Sequence, residues 1–234
     1  MLVLALDTTT RAGSVALVED GMLRDVFSGD PLVTHGQRLP RDITTLLDQT
    51  HTRLDHIDLF AVAAGPGSFT GLRIGIAAMQ GFALAHGRSL AGVSALDALE
   101  EAMRTESAID ADVPLAVWMD AHRGEVFTAL YRHSMAIDGP TVGTPEQVLS
   151  RWRSGDRQAP AVIGGDGALV YAAAIRRELP GTRVLERVPL MAPAIGRLAT
   201  RQAASSATWP SPDAIQPIYV RRPDAELARD RAHQ

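Results

Sequence analysis

The chain has 234 residues, 46% of them hydrophobic and 21% charged, the balance of a folded globular protein able to bury a sizeable core. Its 27 acidic and 23 basic residues leave a net charge of −4, which excludes a protein working mainly as a cloak for nucleic acid. With no cysteine, disulfide scaffolds, zinc ribbons, thiolate nucleophiles and iron–sulfur clusters are excluded together, and a reducing, cytoplasmic location is expected.

In chain order, Leu2 to Leu6 reads as a buried strand ending in Asp7, Ser14 to Val18 as a second and Met22 to Ser28 as a third, the last two joined by a tight turn at Asp20-Gly21. Thr34-His35-Gly36-Gln37 has the form of a capping box and predicts a helix with Leu39, Ile43, Leu46, Leu47 and Leu54 on one face and a kink at Pro40. Asp58 to Ala64 is a fourth strand, Gly65-Pro66-Gly67 a sharp loop, and Gly71 to His86 a helix. Ser89 to Val93 is a short strand, and Ser94 caps a helix from Ala95 to Met103. No apolar run reaches the ~18 residues of a membrane span, and no membrane contact is expected.

Arg104 to Asp112 is polar and reads as a linker, after which the order repeats. Strands are predicted at Pro114 to Met119, Gly124 to Tyr131 and Ser134 to Val142, then a helix opening at Thr144-Pro145-Glu146. Ala161 to Ile163 is a strand running into Gly164-Gly165-Asp166-Gly167. Ala168 to Leu179 is a helix, Arg183 to Glu186 a strand and Met191 to Ala204 a helix. The order β-β-β-α-β-α-β-α thus occurs in both halves. Each half's first strand ends in Asp (Asp7, Asp120), and each half's fourth runs into a glycine-rich loop. An α/β fold with an internal duplication follows: a lobe over residues 1–106, a second over 107–220, and a charged, partly ordered tail over 221–234.

This order resembles the actin-like fold of sugar kinases and the Hsp70 ATPase. Leu4-Ala5-Leu6-Asp7-Thr8-Thr9-Thr10 and Ala64-Gly65-Pro66-Gly67-Ser68-Phe69-Thr70-Gly71-Leu72-Arg73-Ile74-Gly75 are similar to the bacterial TsaB (YeaZ) family. Gly92-Val93-Ser94-Ala95-Leu96, Asp120-Ala121-His122-Arg123-Gly124-Glu125-Val126-Phe127 and Pro217-Ile218-Tyr219-Val220-Arg221 continue the match. The resemblance implies a non-catalytic partner of the enzyme TsaD which, with the ATPase TsaE, makes threonylcarbamoyladenosine at position 37 of tRNAs reading ANN codons. A small-molecule kinase or ATPase of the same fold is the alternative, and a peptidase a weaker one.

The ATPases of this fold grip phosphate with a loop Asp-x-Gly-Thr, whose glycine admits the phosphates to backbone N–H groups. Here Thr9 holds the glycine position, and Asp7 reads as a strand-end carboxylate bonded to its own loop. The Gly65 to Arg73 block lacks P-loop spacing and any lysine; its glycines read as serving a tight turn and close helix packing. Asp7, Thr8, Gly65, Gly67 and Ser68 remain a candidate for weak nucleotide or anion binding at this helix start. TsaD carries a His-x-x-x-His metal pair where this chain has Ala95 and Leu99. His35 and His122 read as lone surface or capping histidines. No catalytic residue, metal or tightly bound cofactor is therefore expected, though a nucleotide could sit at an interface within a complex. Neither a His-Glu-x-x-His nor a Gly-x-Ser-x-Gly motif supports a peptidase.

The helix from Gly71 to His86 is apolar nearly all round, with only Arg73 and Gln80 polar between Leu72 and Ala85. Its outer face should be covered either by the chain's own C-terminal segment or by another protein. The expected interface stripe is Arg73, Ile76, Ala77, Gln80, Ala83 and Leu84, flanked by His35, Leu39 and Ile43. The patch is expected to form a homodimer when the chain is isolated and to receive a TsaD-like subunit in its working state, a TsaE-like ATPase joining them and tRNA binding only through the complex.

Overall fold

Leu2–Asp7 forms strand β1, and every one of its residues is buried because it is the middle strand of a sheet covered on both faces. The computed structural model describes residues 1–154, 159–205 and 209–220; the tail expected at 221–234 lies outside the described residues. The first five-stranded sheet has the order β3-β2-β1-β4-β5, from β2 (Ser14–Glu19), β3 (Met22–Ser28), β4 (Leu59–Gly65) and β5 (Ser89–Ser94). β1 pairs antiparallel with β2 and parallel with β4. The second repeats this layout as β10-β9-β6-β7-β8, from β6 (Leu115–Asp120), β7 (Val126–Arg132), β8 (Met135–Gly143), β9 (Val162–Gly164) and β10 (Arg183–Val184).

The period of two along the middle strands assigns the layers. Leu2, Leu4 and Leu6 face a core shared with α1 (His35–Gln49) and α2 (Phe69–Ala85). Val3 and Ala5 face the other way, into a core built with α3 (Ala95–Ser107) and α7 (Ala192–Ser205). In β6, Leu115, Val117 and Met119 enter that same core, while Ala116 and Trp118 face α4 (Pro145–Ser154), α5 (Asp166–Val170) and α6 (Ala172–Glu178). The two sheets therefore share one central layer of two helices.

α7, the last helix of the second half, packs on β1 and β2 of the first sheet. A Cβ on Gly196 would lie 2.5 Å from Val18, so glycine is what lets α7 lie so close to β2. Ser14 Oγ accepts the N–H of Ala192 (3.1 Å), and Glu101 on α3 receives Arg197 and Arg201 of α7, each at 2.7 Å.

Several local expectations change. α3 runs on to Ser107, because Arg104 is buried, paired with Glu100, and donates to the carbonyls of Asp110 and Val113; the polar stretch is pinned to the helix that precedes it. The helix expected over Ala168 to Leu179 is interrupted at Tyr171 (φ −107°, ψ 19°), a break that still lets Ala168, Ile175 and Leu179 reach one core. Thr34 precedes α1 without capping it: its hydroxyl donates to Gln37 Oε1 (2.9 Å), and no helix N–H bonds to its side chain. Leu54 lies in a separate 3-10 turn, Leu54–His56. Ser94 caps α3 as expected, accepting the N–H of Asp97.

Candidate functional site

The end of β1 is closed upon itself. Asp7 Oδ1 accepts the backbone N–H (2.7 Å) and hydroxyl (2.6 Å) of Thr9, and Oδ2 accepts the hydroxyl of Thr10 (2.8 Å). Burial pushes the Asp7 carboxyl above its ordinary range, opposed by these hydrogen bonds. Asp7 does what a strand-end carboxylate bonded to its own loop would do.

The glycines of the Gly65 to Gly75 block face this loop. A Cβ on Gly71 would lie 2.0 Å from the Thr8 carbonyl oxygen, one on Gly75 2.2 Å from Thr8 Oγ1, and one on Gly67 2.5 Å from Thr9 Cβ. The Thr8 hydroxyl donates to the Gly71 carbonyl (2.8 Å). Ser68 Oγ accepts the N–H of Gly71 (3.3 Å) and caps α2. Gly65, at φ +118°, lies against the C-terminal segment, where a Cβ would meet the Ile218 carbonyl oxygen at 2.6 Å. Among the candidate anion-loop residues, Asp7, Thr8 and Gly67 are thus engaged with one another's segments, and Ser68 remains exposed at the helix start.

A cleft of about 250 Å³ separates the two halves at this level, lined on one side by Asp7, Thr10, Arg11 and Ser14 and on the other by Asp166 and Met191. Asp166 Oδ1 accepts the N–H groups of Asp120 (3.1 Å) and Gly167 (3.0 Å). Burial first, and then the Asp120 charge, push its carboxyl upward. Ala95 and Leu99 are buried in the central core.

The expected interface stripe is corrected. Leu39, Ile43, Ile76 and Ala83 are buried in the core between the first sheet and its outer helices. His35 turns inward: its Nε2–H donates to the Thr10 carbonyl (3.0 Å), which leaves Nδ1 to accept from Arg38 (2.9 Å). Desolvation, then the Arg38 charge, push the His35 imidazole below its ordinary range. Gln80 is half-buried because its amide donates to the carbonyls of Pro212 (3.0 Å) and Ile215 (3.1 Å). A stripe centred on Gln80 is therefore displaced around the helix. Arg73, Ala77 and Leu84 are exposed as expected, and Gly81 joins them at the same spacing. The C-terminal segment covers one edge of α2 and leaves this arc open.

Sequence reasoning missed Arg38 and Phe69. Arg38 is buried, pairs with Asp42 and reaches the Ala12 carbonyl, fastening α1 to the β1–β2 loop; its place at four residues before Asp42 was the available signal. The Phe69 ring lies 3.9 Å below the Arg73 guanidinium carbon and 5.3 Å from the Tyr219 ring.

Two sheets of one topology about a shared helical layer define a duplicated actin-like α/β protein. A likeness to the ADPNP-bound activator of 2-hydroxyisocaproyl-CoA dehydratase from Clostridium difficile (TM-score 0.53, 10% identical, 94% of this chain and 100% of that one) shows the fold alone. The family model of TsaD, tRNA N6-adenosine threonylcarbamoyltransferase, matches residues 33–151. The tRNA threonylcarbamoyladenosine biosynthesis protein TsaB of Escherichia coli K12 is 39% identical over 132 residues, 53% of this chain. The chain spans 57% of that protein by this match and 56% of a second curated relative. A Pseudomonas aeruginosa crystal structure, described as an uncharacterized protein with similarity to peptidase YEAZ, superposes with TM-score 0.75 at 28% identity over 94% of this chain and 99% of that one. The chain belongs to the TsaB/YeaZ family.

Proposed function

We propose that this chain is a non-catalytic subunit of the machinery that makes threonylcarbamoyladenosine in tRNA, acting by binding and supporting a TsaD-like catalytic subunit together with a TsaE-like ATPase. The names of its relatives support the pathway. The observation that carries the non-catalytic assignment is the closed β1 end: Thr9 stands where the phosphate-gripping loop of this fold has glycine, and both donors of Thr9 and the Thr10 hydroxyl are spent on Asp7. A phosphate at this loop would have to displace Thr9 from Asp7 and from its packing against Gly67. The docking face is the open arc of α2, Arg73, Ala77, Gly81 and Leu84, whose small residues let another helix approach closely. A homodimer through the same arc is the proposed state of the isolated chain, with tRNA reached only through the complex.

The test is reconstitution with the TsaD-like and TsaE-like proteins of the same source. Modified tRNA should form only when this chain is added, and the chain alone should not turn over ATP with magnesium. Robust hydrolysis by the isolated chain would overturn the reading in favour of an ATPase.

A further inference from the structure

The core between the second sheet and its outer helices is apolar, but one polar row crosses it. Trp118 on β6 stands directly opposite Thr128 on β7, and Thr128 directly opposite Thr141 on β8. Opposed residues of antiparallel strands share a face, so the three side chains line up across three strands on the side that meets α4. Trp118 and Thr128 are fully buried. α4 closes the row. Arg151 Nη2 donates to Thr141 Oγ1 (3.2 Å), Trp152 Nε1 donates to Asp138 Oδ2 (2.9 Å), and the Trp152 ring stands 6.0 Å from that of Trp118.

Trp118 Nε1, Thr128 Oγ1 and Arg151 Nε are buried and make no hydrogen bond within the protein; among the described residues no other buried side-chain nitrogen or oxygen is left so. Arg151 Nε stands 3.1 Å from Asp138 Oδ2, close enough for ionic attraction but outside hydrogen-bond geometry. Unbonded polar groups are costly in a core, and folded proteins leave few of them. Here all three belong to one row, which points to one shared partner.

We propose that this row encloses an ordered water molecule that bridges Trp118 Nε1 and Thr128 Oγ1. Opposed side chains of an antiparallel pair stand ~4.5–5.5 Å apart at Cβ, a span that one water covers with two hydrogen bonds of ~2.9 Å. Arg151, whose side chain is 38% exposed, marks the end of the row nearer solvent. The donors select the ligand. An indole N–H only donates, while a hydroxyl donates or accepts. Water accepts from the first and bonds to the second in either sense. Two N–H donors exclude a metal cation. An anion would lie beside the buried Asp138 carboxylate, a repulsion that neutral water escapes.

The experiment uses the full chain. Trp118→Phe identifies the Trp118 indole N–H resonance among those of the three tryptophans. In wild type that resonance should show a rotating-frame NOE to long-lived water, and Thr128→Ser, which keeps the hydroxyl, should retain it. A crystal structure should place the water within ~3.2 Å of both atoms. Urea unfolding of Thr128→Val then reads the site by its sign, because valine keeps the shape of threonine without the hydroxyl. With a bridging water, the change strips the water of a partner and should lower the folding constant by ~3–10-fold. At a dry site it removes an unbonded hydroxyl and should raise the constant. A raised constant, an indole N–H without a water NOE, or a direct bond between Trp118 Nε1 and Thr128 Oγ1 would each overturn the proposal.

Discussion

Thr9 gives both its backbone N–H and its hydroxyl to a single carboxylate oxygen of Asp7, at 2.7 and 2.6 Å. This pair of hydrogen bonds to one acceptor oxygen makes the β1 end a structural clasp, and it predicts that Asp7 matters for folding. Asp7→Ala leaves two buried donors and one half-buried donor unanswered and should cost ~2–3 kcal/mol, lowering the melting temperature by ~4–12 °C. Calorimetry of the purified variant checks this; an unchanged melting temperature would contradict the clasp.

A buried and an exposed glycine of α2 should respond oppositely. Gly71→Ala places a methyl 2.0 Å from the Thr8 carbonyl and should destabilise by ~1–3 kcal/mol. Gly81→Ala meets nothing within 4 Å and should stabilise the chain by ~0.5–1 kcal/mol through helix propensity alone. Paired urea melts read both signs.

Arginine scanning along α2 should separate core from docking surface. Ala83 is fully buried, so Ala83→Arg should lose ~3–5 kcal/mol or fail to fold. Ala77→Arg, on the open arc, should keep an unchanged circular dichroism spectrum and stability within ~0.5 kcal/mol, yet lose the TsaD-like subunit in a pull-down.

Two titrations have opposite signs. The Asp166 carboxyl is pushed up, so the folded state binds its proton more readily than the unfolded state, and this group's penalty at neutral pH is relieved as pH falls through its folded pKa. Asp166→Asn keeps the acceptor oxygen, and any advantage over wild type should shrink on acidification from pH ~7 toward ~4. The His35 imidazole is pushed below 6.5, so its contribution is present above 6.5 and is lost as pH falls through the lowered value. An NMR titration should place the His35 midpoint below the ordinary imidazole value of 6.5.

The succession of elements along the chain and its duplication were legible because they depend on features that need no partner: runs of buried β-branched and leucine residues, and paired markers such as Asp7 with Asp120. The glycine block was legible as packing because its spacing excluded a phosphate loop. The rotation of the α2 stripe was not, because it depends on Gln80 bonding to Pro212 and Ile215, 132 and 135 residues away. The inward turn of His35 depends likewise on Thr10, 25 residues earlier. Polar residues of this kind look solvent-facing until the remote backbone that satisfies them is known. Ile76 and Ala83 were misplaced as a direct result.

The crossing of α7 onto the first sheet sets the order of synthesis against the order of completion. β1 and β2 are synthesised long before α7, and Val3, Ala5 and Val18 acquire part of their inner cover only when residues 192–205 have been made. Until α7 is made, the nascent first lobe carries an uncovered apolar wall, a condition that invites chaperone contact. The first lobe therefore cannot be finished by its own residues alone; it closes late, where Ser14 meets Ala192 and Val18 meets Gly196.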